Sequence, residues 1–130
     1  MREWEIAVQA AQSKKAEDIV ILNIGGDSSF TDFFIICTGT NPRQVQAIAD
    51  SVETTLKGEG FRPIGVEGYS TAEWVLLDYG DWVFHVFSLE SRRFYDLERL
   101  WRNAPRAALP APRNSSAARG GDFRAVPTSP

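Results

Sequence analysis

The stretch AEWVLLDYGDWVFHVF, residues 72–87, predicts the centre of a β-sheet. Two apolar runs flank a short turn that contains glycine, which is typical of a β-hairpin. A two-residue turn at Tyr79–Gly80 pairs Asp78 with Asp81 and places Trp74 directly across from His85. The sequence therefore predicts two paired strands whose turn is unusually acidic.

The two faces of this hairpin differ in character, because successive side chains of a strand point to opposite sides. One face is almost entirely apolar, with Leu77 opposite Trp82 and Val75 opposite Phe84, and it is expected to cover the core. The other face is amphipathic. Its members are Trp74, Leu76, Asp78, Asp81, Val83 and His85.

The rest of the chain predicts the elements around the hairpin. The order is α-β-β-α-β-β-β-α, which favours an α/β fold with a mixed sheet of about five strands and flanking helices. The predicted elements are a helix over residues 3–15, strands at 19–24 and 32–39, a helix from Pro42 that Asn41 caps, an edge strand at 61–66, the hairpin, and a last helix that Ser91 caps, with Phe94, Leu97 and Trp101 facing inward.

Charge and composition divide the chain near residue 102. From Asn103 onward Pro, Ala, Arg, Ser and Gly dominate, which predicts a folded domain over residues 1–102 and a flexible tail over 103–130. The tail has four arginines and one aspartate, which gives it a local charge of +3. The domain therefore carries −6, and the total is −3. An acidic domain suits a basic protein partner better than a phosphate backbone.

The chain has one cysteine and one histidine, which argues against a disulfide framework and against a zinc site of the usual ligands. Cys37 lies within an apolar run and is expected to be a buried side chain. No apolar run reaches the roughly 18 residues that suggest a membrane span. The first residues resemble no secretion or transit signal. We therefore expect a cytoplasmic protein that binds no metal or cofactor.

Several separate blocks of sequence together resemble one known family. They are SSFTDFFIICTG, RQVQAIAD, GVEG, AEWVLLDYGDWVFHVF and SRRFYDLERLW, and they run in register from about Asp18 to Trp101. In this arrangement the chain resembles the ribosomal silencing factor, or Iojap, family.

This resemblance implies a fold related to the nucleotidyltransferases and a homodimer in solution. It also implies binding to the large ribosomal subunit through the ribosomal protein numbered fourteen in the large-subunit series. A factor bound there prevents joining of the small subunit and represses translation.

A nucleotidyltransferase-like fold raises the alternative of an enzyme or a nucleotide-binding protein. Such sites hold metal ions between carboxylates, often an Asp-x-Asp on one strand. Asp32 can supply the first carboxylate, but the residue two positions on is Phe34, which cannot bind magnesium. Asp78 and Asp81 flank a tight turn, where aspartate commonly bonds to the backbone. The loop serines Ser28 and Ser29 have no evident base.

The amphipathic face of the hairpin favours a docking surface over a catalytic site. Tryptophan is enriched among the residues that dominate binding energy, and acidic neighbours accelerate encounter with a basic protein. A core role for the tryptophan and a solvated loop at GVEGY are the structural alternatives. The expected contact residues are Glu67, Gly68, Tyr69, Trp74, Asp78, Tyr79, Asp81 and His85.

Two alternatives to a ribosome-binding repressor stay open from the sequence. One is a nucleotide-binding protein with degraded metal ligands, and the other is a dimeric adaptor that acts away from the ribosome. No specific nucleic-acid site is expected. The arginine-bearing tail is either a passive appendage or makes a loose contact with ribosomal RNA.

Overall fold

The computed structural model describes residues 2–26 and 31–112 of the chain. It contains five strands and four helices within those ranges. In chain order they are α1 (Glu3–Ser13), β1 (Glu17–Asn23), β2 (Phe33–Gly39), α2 (Pro42–Gly58), β3 (Gly65–Glu67), β4 (Trp74–Asp78), β5 (Trp82–Ser88), α3 (Leu89–Tyr95) and α4 (Leu97–Leu100).

All five strands form one mixed sheet in the order β1-β2-β5-β4-β3. The pairing of β2 with β5 is parallel, and the other three pairings are antiparallel. The short strand β3 lies at one edge, as expected for a segment that follows Pro63. The predicted α/β class, with a mixed sheet of five strands and flanking helices, is confirmed.

One face of the sheet is covered by α1 and α2. The predicted stripe of α2, which includes Val45, Ile48, Val52 and Leu56, is fully buried against this face. Asn41 caps α2 as predicted, because its side chain accepts a hydrogen bond of 2.8 Å from the backbone N–H of Gln44. The larger of the two apolar clusters therefore lies between these helices and the sheet.

The opposite face of the sheet carries a smaller apolar cluster. Leu22, Ile36 and Phe87 are buried there, and Leu97 and Trp101 from the C-terminal helical region pack against them. Both faces of the central strands are therefore covered, but by different parts of the chain. The face under α1 and α2 is fully packed, whereas the other is covered only in part.

The hairpin turn lies one residue later than predicted. The turn residues are Gly80 and Asp81, and Tyr79 donates from its backbone N–H to the carbonyl of Trp82. Gly80 has a φ of +89°, a conformation that glycine adopts without a steric penalty. The predicted register was therefore wrong. The observed partners are Trp74–Phe87, Val75–Val86, Leu76–His85, Leu77–Phe84 and Asp78–Val83.

The predicted faces nevertheless stay correct, because the register moves by two residues and each side chain keeps its side of the sheet. Val75, Leu77, Trp82, Phe84 and Val86 all lie in the larger cluster.

The last helix differs from the prediction in its start and in its stripe. Ser88 caps α3, and its side chain accepts a hydrogen bond from the N–H of Ser91, which was the predicted cap. Asp96 adopts a left-handed conformation with φ of +48° and separates α3 from α4. This break turns Phe94 outward to 81% exposure, whereas Leu97 and Trp101 face the smaller cluster as predicted.

Part of the stretch predicted as a tail contacts the domain. Residues 104–111, here called the C-terminal segment, lie along the edge of β1 and reach α1. The N–H of Asn23 donates to the carbonyl of Pro105 at 2.8 Å, and the side chain of Gln9 donates to the carbonyl of Ala111 at 2.9 Å. Unpaired edge-strand groups attract such partners even where the composition is rich in proline and alanine. Residues 113–130 of the predicted tail lie outside the described residues.

Arg92 connects the C-terminal helical region to the sheet. Its guanidinium donates two hydrogen bonds to the Glu98 carboxylate, at 3.0 and 3.2 Å, and one to the Thr38 hydroxyl at 2.8 Å. Such planar, two-point pairing fixes geometry better than a single contact does.

Among the described helices, none has both the length and the apolar character needed to cross a bilayer.

We expect Arg92→Met to lower the free energy of unfolding by about 2 kcal/mol, because the buried hydroxyl of Thr38 and the Glu98 carboxylate lose their donor. Methionine retains the apolar stem, so the loss of stability reports the contribution of the guanidinium group. Urea unfolding measures the change. Arg93→Met is the matched control, because Arg93 is the adjacent arginine and its side chain is exposed. Equal stability of the two variants would contradict this role of Arg92.

Candidate docking surface

Trp74 opens β4 on the partly covered face of the sheet. Its indole is half-buried and stacks on Phe87, with ring centroids 4.9 Å apart, and it contacts Tyr95 of α3 at 4.6 Å. Its Nε1 donates a hydrogen bond of 3.1 Å to Nδ1 of His85. The indole is therefore fixed in one orientation while part of it remains accessible, which are the two properties that a binding anchor needs.

His85 lies beneath this tryptophan and is 2% exposed. The expectation that His85 itself touches a partner is therefore not met, because its neighbours Phe34 and Trp74 shield the ring. Burial lowers the pKa of His85 to about 3. The imidazole is consequently neutral, with Nδ1 free to accept the bond from the indole, and its role is to hold Trp74.

Acidic side chains lie on the same side of the sheet as Trp74, at the hairpin end and on the neighbouring strand. Asp78 shares the face of Trp74, four residues along β4, which is roughly 13 Å. Asp81 is exposed in the turn, and Glu67 of β3 pairs with Leu76 on the same face. Asp78 also accepts a bond of 2.8 Å from the N–H of Gly80, so the predicted turn role of this aspartate is confirmed.

We call the accessible part of this face the docking surface. It combines one aromatic anchor, two half-buried aliphatic side chains and three carboxylates. Its members are Glu67, Trp74, Leu76, Asp78, Asp81 and Val83.

Two tyrosines among the predicted contact residues lie on the other side of the sheet. Tyr79 stacks on Trp82 at 4.2 Å within the larger cluster, and burial raises the pKa of its hydroxyl. The Tyr69 hydroxyl donates to Asp50 of α2 at 3.0 Å. Both therefore face α2, and the structure does not bring them together with Trp74.

Gly68 has a backbone role behind the docking surface. It has a φ of +80°, and a Cβ at this position would lie 2.0 Å from the carbonyl oxygen of Trp74. Only glycine allows the loop after β3 to approach the start of β4 so closely. Gly68 thus contributes to the site by letting the chain reach Trp74, without offering a side chain of its own.

Tyr95 is the contributor that the sequence did not reveal. It is half exposed and packs against the indole of Trp74 from the end of α3. The helix breaks at Asp96, whose positive φ sets the direction of Tyr95. Aspartate is among the residue types enriched at positive φ, but most aspartates do not adopt it, so its presence alone gives no clear signal.

The features that raised an enzymatic alternative do not converge. Asp32 and Asp81 meet through their backbones, where the N–H of Asp32 donates to the carbonyl of Asp81 at 2.8 Å. Within residues 2–26 and 31–112, no three His, Cys, Asp or Glu side chains lie close enough to hold a metal ion. Cys37 is fully buried, and burial raises the pKa of its thiol to about 12. Ser28 and Ser29 lie outside the described residues.

The buried histidine predicts a pH dependence of stability. The folded-state pKa of about 3 lies below the ordinary 6.5, so the unfolded chain binds the extra proton and stability falls as the pH drops below about 6.5. His85→Asn keeps an acceptor for the indole and does not titrate. Between about pH 7 and 5 we expect the natural chain to lose about 2 kcal/mol relative to this variant. Urea unfolding at each pH measures this loss. If the stability of the natural chain and of the variant changed in parallel with pH, the role of His85 would be contradicted.

The family model described as "Ribosomal silencing factor during starvation" matches residues 2–128. The "Ribosomal silencing factor RsfS" of Halalkalibacterium halodurans is 46% identical over 105 residues, which cover 81% of this chain and 90% of that protein. The crystal structure of protein CV0518 from Chromobacterium violaceum superposes with a TM-score of 0.75 at 36% identity, covering 88% of this chain and 92% of that one.

A more distant relative extends the comparison to animals. The mouse protein named "Mitochondrial assembly of ribosomal large subunit protein 1" is 28% identical over 100 residues, which cover 75% of this chain and 44% of that protein. The family model spans almost the whole sequence, and the bacterial relative matches over most of both chains. The chain therefore belongs to the ribosomal silencing factor family.

Proposed function

We propose that this protein binds the large ribosomal subunit through the docking surface and represses translation by preventing the small subunit from joining. The observation that supports this most directly is Trp74, a partly accessible indole that His85 and Phe87 hold in place. Acidic side chains lie on the same side of the sheet. Family membership and the large-subunit name of the mouse relative point to the same partner.

The proposed contact is a basic ribosomal protein, and the family resemblance implies the one numbered fourteen in the large-subunit series. Glu67, Asp78 and Asp81 supply the negative charge that steers such a partner, while Trp74 and Leu76 supply apolar area. Exclusion of the small subunit needs no chemistry. Its extent follows from occupancy, and therefore from affinity and from the concentration of the protein.

We expect Trp74→Ala to weaken binding to purified large subunits roughly 30-fold, which corresponds to about 2 kcal/mol for loss of a central aromatic anchor. Co-sedimentation through a sucrose cushion measures bound protein, and light scattering of mixed subunits measures joining. Phe61→Ala removes an exposed aromatic side chain on the α2 side and is the matched control.

A second variant keeps this test informative if Trp74→Ala loosens the fold. Asp81→Arg reverses an exposed charge at the turn and leaves the packing of Trp74 untouched. It is expected to slow association with large subunits and to reduce its salt dependence. Undiminished binding and full inhibition of subunit joining by both variants would refute the proposed surface.

The free protein is proposed to be a homodimer. Dimerisation competes with binding to the large subunit if both use the docking surface, because one amphipathic face cannot serve two partners at once. Trp74→Ala is then expected to shift sedimentation velocity toward the monomer, while Phe61→Ala leaves it unchanged. A change that breaks the dimer without altering affinity for the large subunit would show that the two interfaces are separate.

A further inference from the structure

The helical region after β5 exposes apolar side chains to an unusual degree. Phe94 is 81% exposed and Leu100 is 73% exposed, and both line a shallow groove of about 660 Å³ between the end of α3 and the turn after α4. Their exposure follows from the left-handed Asp96, which turns the two short helices apart. Exposed apolar groups gathered in one place mark interaction sites more often than scattered ones do.

Three arginines line the same groove. Arg93, Arg99 and Arg102 are exposed, whereas Arg92 is already neutralised by Glu98. Within the described part of the chain, Arg92–Glu98 is the one ion pair, so these three guanidinium groups are available to a partner. Asp96 also lines the groove and offsets one charge. The groove is therefore cationic on a chain whose net charge is −3.

We propose that this groove binds an unpaired segment of RNA. Guanidinium groups match phosphate oxygens in planar, two-point geometry, and an accessible phenyl ring is a stacking platform for an unstacked base. Arg93 and Phe94 both line the groove, so it offers a cation for a phosphate and a ring for a base. Leu100 and the exposed edge of Tyr95 add apolar surface for a second base.

This inference goes beyond the proposed function and does not depend on the docking surface. The acidic character of the domain disfavours phosphate contacts elsewhere on the described residues, so the proposed RNA site is this groove. Tyr95 contacts Trp74 at 4.6 Å, and the groove consequently adjoins the docking surface. A protein partner and a neighbouring loop of RNA can therefore be held at the same time.

Fluorescence anisotropy with a labelled, unstructured RNA of about twelve nucleotides, a length typical of single-strand sites, tests the inference on the full chain. The combined variant Arg93→Ala, Arg99→Ala, Arg102→Ala is expected to bind at least tenfold more weakly. In the natural chain the logarithm of the affinity should fall with the logarithm of the salt concentration with a slope of about −2, as expected for three single-strand phosphate contacts. The slope should approach zero in the variant.

The matched control removes three exposed positive charges elsewhere through Arg43→Ala, Lys57→Ala and Arg62→Ala. It gives the same net charge as the test variant, and both keep the arginines of residues 113–130. We expect the control to bind RNA within twofold of the natural chain. An equal effect of the two triple variants, or no effect of either, would overturn the assignment to this groove.

Phe94→Leu separates base stacking from simple apolar contact. Leucine preserves apolar area but has no ring, so RNA affinity is expected to fall roughly tenfold. Circular dichroism and thermal unfolding should remain unchanged, because the side chain is mostly exposed. If Phe94→Leu retains full affinity and labelled polyglutamate binds as tightly as the RNA, the groove is a site for acidic protein and the proposal is wrong.

Discussion

The parallel pairing of β2 with β5 is the constraint on which the rest of the structure depends. It places β5 at the centre of the sheet, with a neighbour on each side, and it requires the connection through α2 to return across one face. That face is then closed by helices. The other face is left to the shorter C-terminal helices, which cover Phe87 but leave part of Trp74 accessible. The docking surface exists because the second face is incompletely covered.

Two neighbouring surfaces of opposite charge follow from this arrangement. Asp78 and Asp81 make the hairpin end negative, and the arginines around Phe94 make the helical corner positive. Tyr95 joins them, since its ring packs on Trp74 while its exposed part borders the groove. Arg92 keeps the two surfaces in a fixed relation, because it ties α3 to both β2 and α4. The proposed ribosomal partner, in which protein and RNA lie side by side, suits such a combination.

Much of the fold could be predicted from local sequence patterns, and the errors have a common cause. The stripe of α2, the cap at Asn41 and the two faces of the hairpin depend on periodicity and short-range bonding, and these predictions are confirmed. Tertiary contacts decide between several locally stable conformations at the other positions, namely the turn at Gly80, the cap at Ser88 and the outward Phe94. Tyr79 stacks on Trp82 and bonds to it, so the pairing of the two hairpin strands includes this pair and the turn moves to Gly80 and Asp81. For the candidate site, the sequence predicted Trp74 and acidic side chains on the same face of the hairpin, and these contacts with a partner stay a prediction. It could not show that His85 is buried support or that Tyr69 turns toward α2.

The C-terminal segment has a consequence for how copies of this chain can meet. Leu22 forms a bridge with Arg106 along β1, and Pro105 and Pro110 of the C-terminal segment offer no amide donors. The opposite edge, β3, is only three residues long. Both borders of the sheet are thus poor templates for β-augmentation, which is the route by which exposed strands recruit foreign strands and nucleate fibres. This arrangement favours assembly through side chains on the sheet's faces and helices.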